Sequence, residues 1–335
     1  MKQDINVAII GAGISGLSCA AAMHNSGIKV TLFEKSQGVS GRMSTRRGEN
    51  WQCDHGAQYF TARDAGFRAE VEHWQQAGAA SLWKPRMHVF GGGSLHCSDA
   101  PERYVGTPTM TSPSQLLAAG LDIRTGVQIN GIEYKAGRWR LTAINDKDPD
   151  HEFTAVILAM PSPQAAALLC ESAPDMAELT ALVSMRACHA LMLTYDSPLN
   201  LPFDAAFVND GPLRWIARDN SKPGRGSKET WLLHTSAEWS EKHVEHSVEE
   251  IAVLLLPAFC ALGAAMPQSW TAHRWRYADS EAALTIGSIW NTRQKLGMCG
   301  DWLHGGKVEG AWLSGRHLAK QLLAHSWADR LLKTA

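Results

Sequence analysis

The run "INVAIIGAGISGLSCAAAMHNSGIKVTLFEKS" near the N-terminus restricts the fold more than any other part of the chain. Val7 to Ile10 is apolar throughout, as a strand buried on both faces of a parallel sheet must be. Ser15 to Asn25 reads as a helix of small residues, and Val30 to Phe33 as the next strand, ending at Glu34. Gly11, Gly13 and Gly16 form G-x-G-x-x-G at the first junction. Gly11 permits the tight turn, Gly13 lets a pyrophosphate approach the backbone, and Gly16 lets the helix pack on the strand. Ala12, Ile14 and Ser15 lie between and beside them, where free N–H groups and the positive helix end hold phosphates. Glu34, followed by Lys35, stands 18 residues after Gly16, where a carboxylate accepts both ribose hydroxyls of an adenosine and repels a 2′-phosphate.

FAD and NAD share this fingerprint, so the choice between them comes from further along. "SQGVSGRMSTRR" offers Gly41 and Met43, with Arg42 to meet a phosphate and Thr45 to add a hydroxyl. "CDHGAQYFTAR" places Gln58, Tyr59 and Phe60 at a polar-aromatic turn where an NAD domain would begin another βα unit. A second glycine-to-helix junction, "GMCGDWLHGGKVEGAWLSGRHLAKQL", comes almost at the C-terminus. FAD is long, and its ring needs an anchor of its own. A helix N-terminus stabilises the negative charge that develops near N1 and the C2 carbonyl on reduction. Gly310, Ala311 and Trp312 are expected to open that helix, with Gly310 allowing close approach. Gly300 and Asp301 precede it, Asp301 suiting the ribityl or pyrophosphate side. Cys299 reads as part of a buried strand, so the flavin is expected to be non-covalent.

The chain has 335 residues, enough for two domains, and 45% apolar and 19% charged residues, a soluble globular composition. A formal charge of −1 gives no case for nucleic acid or an anionic membrane. Seven scattered cysteines, Cys97 among them, contain no C-x-x-C, which argues against zinc-ribbon and dithiol chemistry and for a reducing, cytoplasmic location. No apolar run reaches the ~18 residues of a spanning helix. Neither "GGG" at Gly91 to Gly93 nor "GRG" at Gly224 to Gly226 has the strand and helix context of a second dinucleotide turn. The electron donor must therefore meet the flavin directly.

"GAGISGL", "GRMSTR", "DHGAQYF", "VILAMPSPQ", "LLHTSAEWS", "HRWRYAD" and "GDWLHGGKVEGAWLSG" together resemble the FAD-containing amine oxidase superfamily, and within it the renalase family. The likeness runs nearly end to end; many relatives carry Gly-Gly-Arg where this chain has Ser40-Gly41-Arg42. It implies an α/β fold: a Rossmann-like FAD domain of the p-hydroxybenzoate hydroxylase type with a second, α+β substrate domain. Residues 1–62, 112–164 and 285–335 are expected in the first, and 63–111 with 165–284 in the second. The FAD domain should include a helix capped near Ser112 and a β-meander from Val127 to Ala143, turned by "INDKDPDHE". It should also include the return strand before Met160, and Val127 and Met160 join the cofactor residues. Beyond Pro163, strands are expected with two helices, "SVEEIAVLLLPAFCALG" the clearer, and "DNSKPGRGSKET" as a polar hairpin loop. The family's activity is oxidation of dihydronicotinamide (NAD(P)H) isomers to NAD(P)⁺, with O2 as acceptor giving hydrogen peroxide.

Hydride transfer from a dihydropyridine asks for stacking and orientation more than for a strong base. Thirteen tryptophans against five tyrosines suit a flat substrate. Trp275 and Tyr277, Arg214 and Trp215, His234 and Tyr59 are the candidates for the reaction centre, with Arg214 or Arg218 for a substrate phosphate or carboxamide. The competing reading places Trp275 and His234 in the core. His243 and His246 are read as a solvated helix face, not a metal site. Two alternatives stay open: an oxidase of a small amine held in an aromatic cage, and a non-catalytic FAD-binding module.

Overall fold

The computed structural model describes residues 5–92, 101–144 and 152–332, with side chains as far as residue 324. Cys97, Gly93 and the turn at 145–151 lie outside the described residues. The chain forms two compact units, one from residues up to 41, 114–185 and 280 onward, the other from 42–113 and 186–279.

The first unit is built on a six-stranded sheet in the order Ile289–Asn291, Leu296–Met298, Ala155–Leu158, Asn6–Ile10, Lys29–Glu34, Asp122–Thr125. All neighbours run parallel except the 289–291 edge. Ile10 is in register with Phe33 on one side and Leu158 on the other, so three strand ends open at one level beside the glycine turn. Such a row of carboxyl ends is where doubly wound sheets bind ligands. Helix Ile14–Asn25 and helix Lys307–Leu332 share one face of this sheet, with Leu17, Ala20 and Met23 packed among Val7, Ile9, Leu318 and Leu322. The helices cross closely because Gly315 has no Cβ; one there would run into Ser18 Oγ and the Ser15 carbonyl. Ser18 Oγ donates to the Trp312 carbonyl at 2.9 Å and ties the crossing. The opposite face is covered by the hairpin Gln128–Lys135/Arg138–Ile144 and helices Ser162–Leu169 and Pro174–Ala181, around Trp139, Phe153 and Trp302.

The second unit holds a sheet in the order Ser269–Ser280, Met185–Tyr195, Glu229–Thr235, Leu213–Arg218, Ala205–Val208, Met87–Phe90. One face packs Leu191, Leu193, Ile216, Trp231 and Leu233 on helix Val248–Cys260, through Ile251, Leu255 and Phe259. Ser247 and Glu250 close a reciprocal capping box at the start of that helix. The other face presents Ala190, Met192 and Leu232 to Cys53 of the hairpin Thr45–Gly48/Trp51–Asp54, with Trp51 and Trp275 alongside.

Several expectations change. The units divide at 41/42, 113/114, 185/186 and 279/280 rather than at the expected boundaries, so 42–62 falls in the second unit and 165–185 in the first. The short strand Asp122–Thr125 extends the parallel sheet, and the expected meander is a two-stranded hairpin. Four helices occupy the stretch expected to hold two; 162–169 and 174–181 belong to the first unit, 237–242 and 248–260 to the second.

Candidate active site

In the first unit the glycine turn is drawn tight. Gly11 has φ of 108°, and a Cβ on it would strike the Ala159 carbonyl. Gly16 is hemmed by the Gly11 carbonyl and Ala159, so each glycine is dictated by packing. Gly13 differs: its missing Cβ would meet nothing within 4 Å. It begins the helix without any side-chain cap, so the first-turn N–H groups lack an intrahelical acceptor. Ser15 Oγ is buried there with no hydrogen-bond partner. An uncapped helix end, an open glycine and an orphaned hydroxyl are together what a pyrophosphate would complete.

Glu34 is buried, and both of its oxygens are already oriented. Oε2 accepts the Ala12 N–H at 2.9 Å, and Oε1 accepts the Ser36 N–H at 2.8 Å. Each oxygen keeps a lone pair for a ribose hydroxyl. The Val127 N–H donates to the Glu34 carbonyl at 2.9 Å, so Val127 fixes the strand end, while Lys35 is exposed. Ser40 takes φ of 109° and donates its N–H to the Ala12 carbonyl at 2.9 Å. A Cβ on Gly41, which has φ of 55°, would lie 3.4 Å from Gly13 Cα.

The second junction is present but starts earlier than expected. The helix begins at Lys307, so Gly310 lies within its first turn. A Cβ on Gly310 would strike the His304 carbonyl, so the preceding loop by itself requires glycine there. Gly305, Gly306 and Lys307 all have positive φ, which swings the loop back before the helix. The Gly300 N–H is held by Ser314 Oγ at 3.0 Å, and the Met160 carbonyl accepts Trp302 Nε1–H at 3.0 Å. Asp301, Ala311 and Trp312 are buried. Ala12, Gly13, Ile14 and Ser15 would hold the pyrophosphate, Glu34 the ribose, and the 300–312 segment the flavin end.

In the second unit an aromatic band runs along the sheet face under the 45–54 hairpin. The His55 carbonyl lies at its centre, accepting Trp275 Nε1–H at 2.8 Å and facing His234 Nε2 at 3.0 Å. A carbonyl can only accept, so His234 carries its proton on Nε2. The His55 ring stacks on Trp275 (centroids 5.2 Å, 26°), and His273 meets both rings edge-on. Trp215 lies across the ladder from His234 and 5.4 Å from the Tyr59 ring, over which Arg103 sits. Four candidates, Tyr59, Trp215, His234 and Trp275, thus share one band, with Tyr277 on the same alternation of its strand. His55 and His273 were missed: His55 acts through its backbone, which no side-chain pattern announces, and His273 lay unremarked inside "HRWRYAD".

Other candidates have different neighbours. Arg214 is exposed. Arg218 is committed on the opposite face, donating to the Leu199 carbonyl at 2.6 Å and lying over Trp231. Phe60 belongs to an apolar cluster with Phe67, Trp74 and Tyr104. Arg42 Nη1 donates to the Ala278 carbonyl at 3.1 Å, and Met43 is buried. Thr45 Oγ1 donates to Asp54 Oδ1 at 2.6 Å and accepts the Met110 N–H at 3.0 Å. Gln58 is similarly engaged, donating to the Asp54 carbonyl at 2.6 Å and accepting from Lys222 Nζ at 3.3 Å. His243 and His246 sit in the turn after helix Ala237–Lys242 rather than on a helix face, His243 stacked on Trp239. Among the described residues no group of three or more His, Cys, Asp or Glu is arranged to hold a metal.

The polar loop "DNSKPGRGSKET" does join the antiparallel neighbours Leu213–Arg218 and Glu229–Thr235, but its charged side chains turn inward. Lys222 Nζ lies 2.9 Å from both Asp54 Oδ2 and Asp219 Oδ1, and Arg225 Nη2 lies 2.6 Å from Asp54 Oδ2, all four side chains being at most 1% exposed. This cluster staples the loop to the hairpin that carries His55. Burial alone would raise the Asp54 carboxyl, but Lys222 and then Arg225 hold it at about 2.

Burial, then the neighbouring His273, Arg46 and His234, push His55 down to about 3. Burial and Arg46 bring His273 to about 4, and burial brings His234 to about 4 despite the His55 carbonyl. All three are neutral at pH 7. Unfolded histidines titrate near pH ~6.5, so below that the unfolded chain binds more protons than the folded one. The stability contributed by these neutral rings is complete above pH ~6.5 and is lost as pH falls towards 4. Melting temperature should fall across this window, and less steeply in His55→Asn, which keeps the carbonyl. Identical slopes for the two proteins would show that the ring does not titrate in this way.

A family model described as flavin containing amine oxidoreductase matches residues 78–323. The chain belongs to that family. A second model, the NAD(P)-binding Rossmann-like domain, matches residues 9–70, which contain the glycine turn. The family's members are FAD-dependent oxidoreductases, and FAD is the cofactor here. A 4,4'-diapophytoene desaturase of Staphylococcus haemolyticus is 31% identical over 113 residues, 34% of this chain. The chain thereby spans only 22% of that relative's length. Among solved structures, a provisionally assigned protoporphyrinogen oxidase from Exiguobacterium sp. 255-15 superposes with a TM-score of 0.77 at 12% identity, over 96% of this chain and 99% of the other. A putrescine oxidase bound to putrescine gives 0.69 at 13% identity, again over 96% and 99%. These structures share the fold. Among the described residues no helix is long and apolar enough to cross a membrane.

Proposed function

We propose that this family member is an oxidase of dihydronicotinamide isomers, in which bound FAD would take a hydride from the donor and pass its two electrons and proton, with a second proton from solvent, to O2 as hydrogen peroxide. The observation that carries the reading is the band made by Trp275, His55 and His234, flat rings locked by one carbonyl, with every histidine neutral. Hydride leaves a dihydropyridine as its ring becomes aromatic, so no base is needed at carbon. What the residues must supply is a stacking surface that does not rotate. Trp275 supplies it, because its Nε1–H bond and the His55 ring fix it on two sides. His234, with its proton on Nε2 turned to the His55 carbonyl, braces the wall and adds no charge. Bound FAD supplies the hydride acceptor and the route to oxygen. A small-amine oxidase is the second reading, favoured by the family itself.

Oxygen uptake is the test. With an isomerised NAD(P)H preparation the enzyme should consume O2 and release one hydrogen peroxide per donor oxidised. Trp275→Ala should slow turnover at least ~10-fold through lost orientation. Uptake with putrescine-like amines and none with the isomers would make the chain an amine oxidase, and an undiminished Trp275→Ala rate would return that ring to the core.

A further inference from the structure

We infer that Arg46 and His273 form an anion-binding subsite beside the aromatic band, one that selects donors bearing a phosphate. The inference rests on the dihydronicotinamide reading and assigns its charge preference. Arg46 lies on the hairpin strand whose alternation sends Thr45 to Asp54 and Arg46 the other way, to His273. Its Nη2–H reaches His273 Nδ1 at 3.4 Å. Arginine can only donate, so Nδ1 accepts and the proton of neutral His273 is on Nε2. That Nε2–H has no protein acceptor among the described residues. Arg46 is half-buried, and no carboxylate among the described residues lies within 4.0 Å of its guanidinium.

The contrast with other arginines of this unit is direct. Arg274 and Arg276 flank Trp275 in sequence but lie on the opposite face, where both pair with Glu245. Arg86 pairs with Asp204, and Arg186 with Glu238 and Glu241. Arg46, on the face of the band, is instead left to a neutral imidazole. A half-desolvated guanidinium in that setting gains most from an anion, since planar N–H pairs match phosphate geometry. The His273 Nε2–H adds a second donor. A protonated amine would meet an unpaired cation instead.

The experiment compares two donors that differ only in the phosphate, the isomerised dihydronicotinamide mononucleotide and its riboside. Anaerobic flavin reduction is followed in the FAD-loaded enzyme, in Arg46→Met and in Arg46→Lys. The native enzyme should bind the mononucleotide at least ~10-fold more tightly than the riboside. In Arg46→Met that ratio should collapse towards one, and Arg46→Lys should restore part of it. An unaltered ratio in an Arg46→Met protein that keeps its FAD and the native melting temperature would overturn the assignment, and Arg46→Lys gives the same reading should the methionine variant not fold. If neither donor reduces the native enzyme, the dihydronicotinamide reading fails on its own. The subsite is then read from pyrophosphate binding to the oxidised holoenzyme, which Arg46→Met must abolish for the assignment to survive.

Discussion

Replacing Lys222 with methionine should lower the melting temperature of the protein by roughly 6–20 °C, the largest effect of any single substitution considered. Lys222 is fully buried and contacts both Asp54 and Asp219 at 2.9 Å, so its loss leaves two buried carboxylates sharing Arg225. Breaking a buried ion pair from one side costs about 3–5 kcal/mol, because the remaining charge is uncompensated. Each kcal/mol moves the midpoint of a domain of this size by roughly 2–4 °C. The pair of changes Lys222→Met with Asp219→Leu should be milder than Lys222→Met alone, since the leftover charge goes with its partner. Thermal unfolding followed by circular dichroism decides it. A Lys222→Met protein melting with the native one would show that the cluster contributes nothing net. Acid should also act on this cluster. With Asp54 held at about 2 and an unfolded carboxyl near ~3.9, its contribution is complete above pH ~4 and lost as pH falls towards 2.

Glu34→Ala should empty the cofactor site. The carboxylate is poised by the Ala12 and Ser36 N–H groups and would accept two ribose hydroxyls. Hydrogen bonds to a charged acceptor contribute on the order of 1.5–3 kcal/mol each, so losing two weakens FAD by roughly 10²–10⁴-fold. Glu34→Gln, which keeps the shape and one acceptor, should fall between. FAD content after desalting, read from the ratio of flavin to protein absorbance, measures this. Full flavin occupancy in Glu34→Ala would remove Glu34 from the ribose role.

What the sequence disclosed follows the locality of the chemistry. The turn at Gly11, Gly13 and Gly16 was legible because backbone geometry, helix end and Glu34 all lie within one strand–helix–strand stretch. Helix 248–260 was legible from its own period and cap. The Asp54–Lys222 pair was not, because the two residues are 168 positions apart and Lys222 sits in a stretch whose composition reads as solvated loop. Thr45 and Gln58 were read as cofactor residues from their place after Glu34, and their hydrogen bonds to Asp54 were not legible there. Gly310 was recognised as a close approach, and the His304 carbonyl is one object so approached. His55 works through a carbonyl that every residue possesses, so only the register of Trp275 and His234 around it discloses its place.

The most direct test of the proposed chemistry is an anaerobic stopped-flow comparison of three donors against the FAD-loaded enzyme: isomerised NAD(P)H, ordinary β-NADPH, and a panel of primary amines. The isomers should bleach the flavin fastest, β-NADPH slowly because it presents the wrong carbon for hydride transfer, and the amines least. Rapid bleaching by an amine, with none by the isomers, would contradict the proposal and assign the aromatic band to amine oxidation.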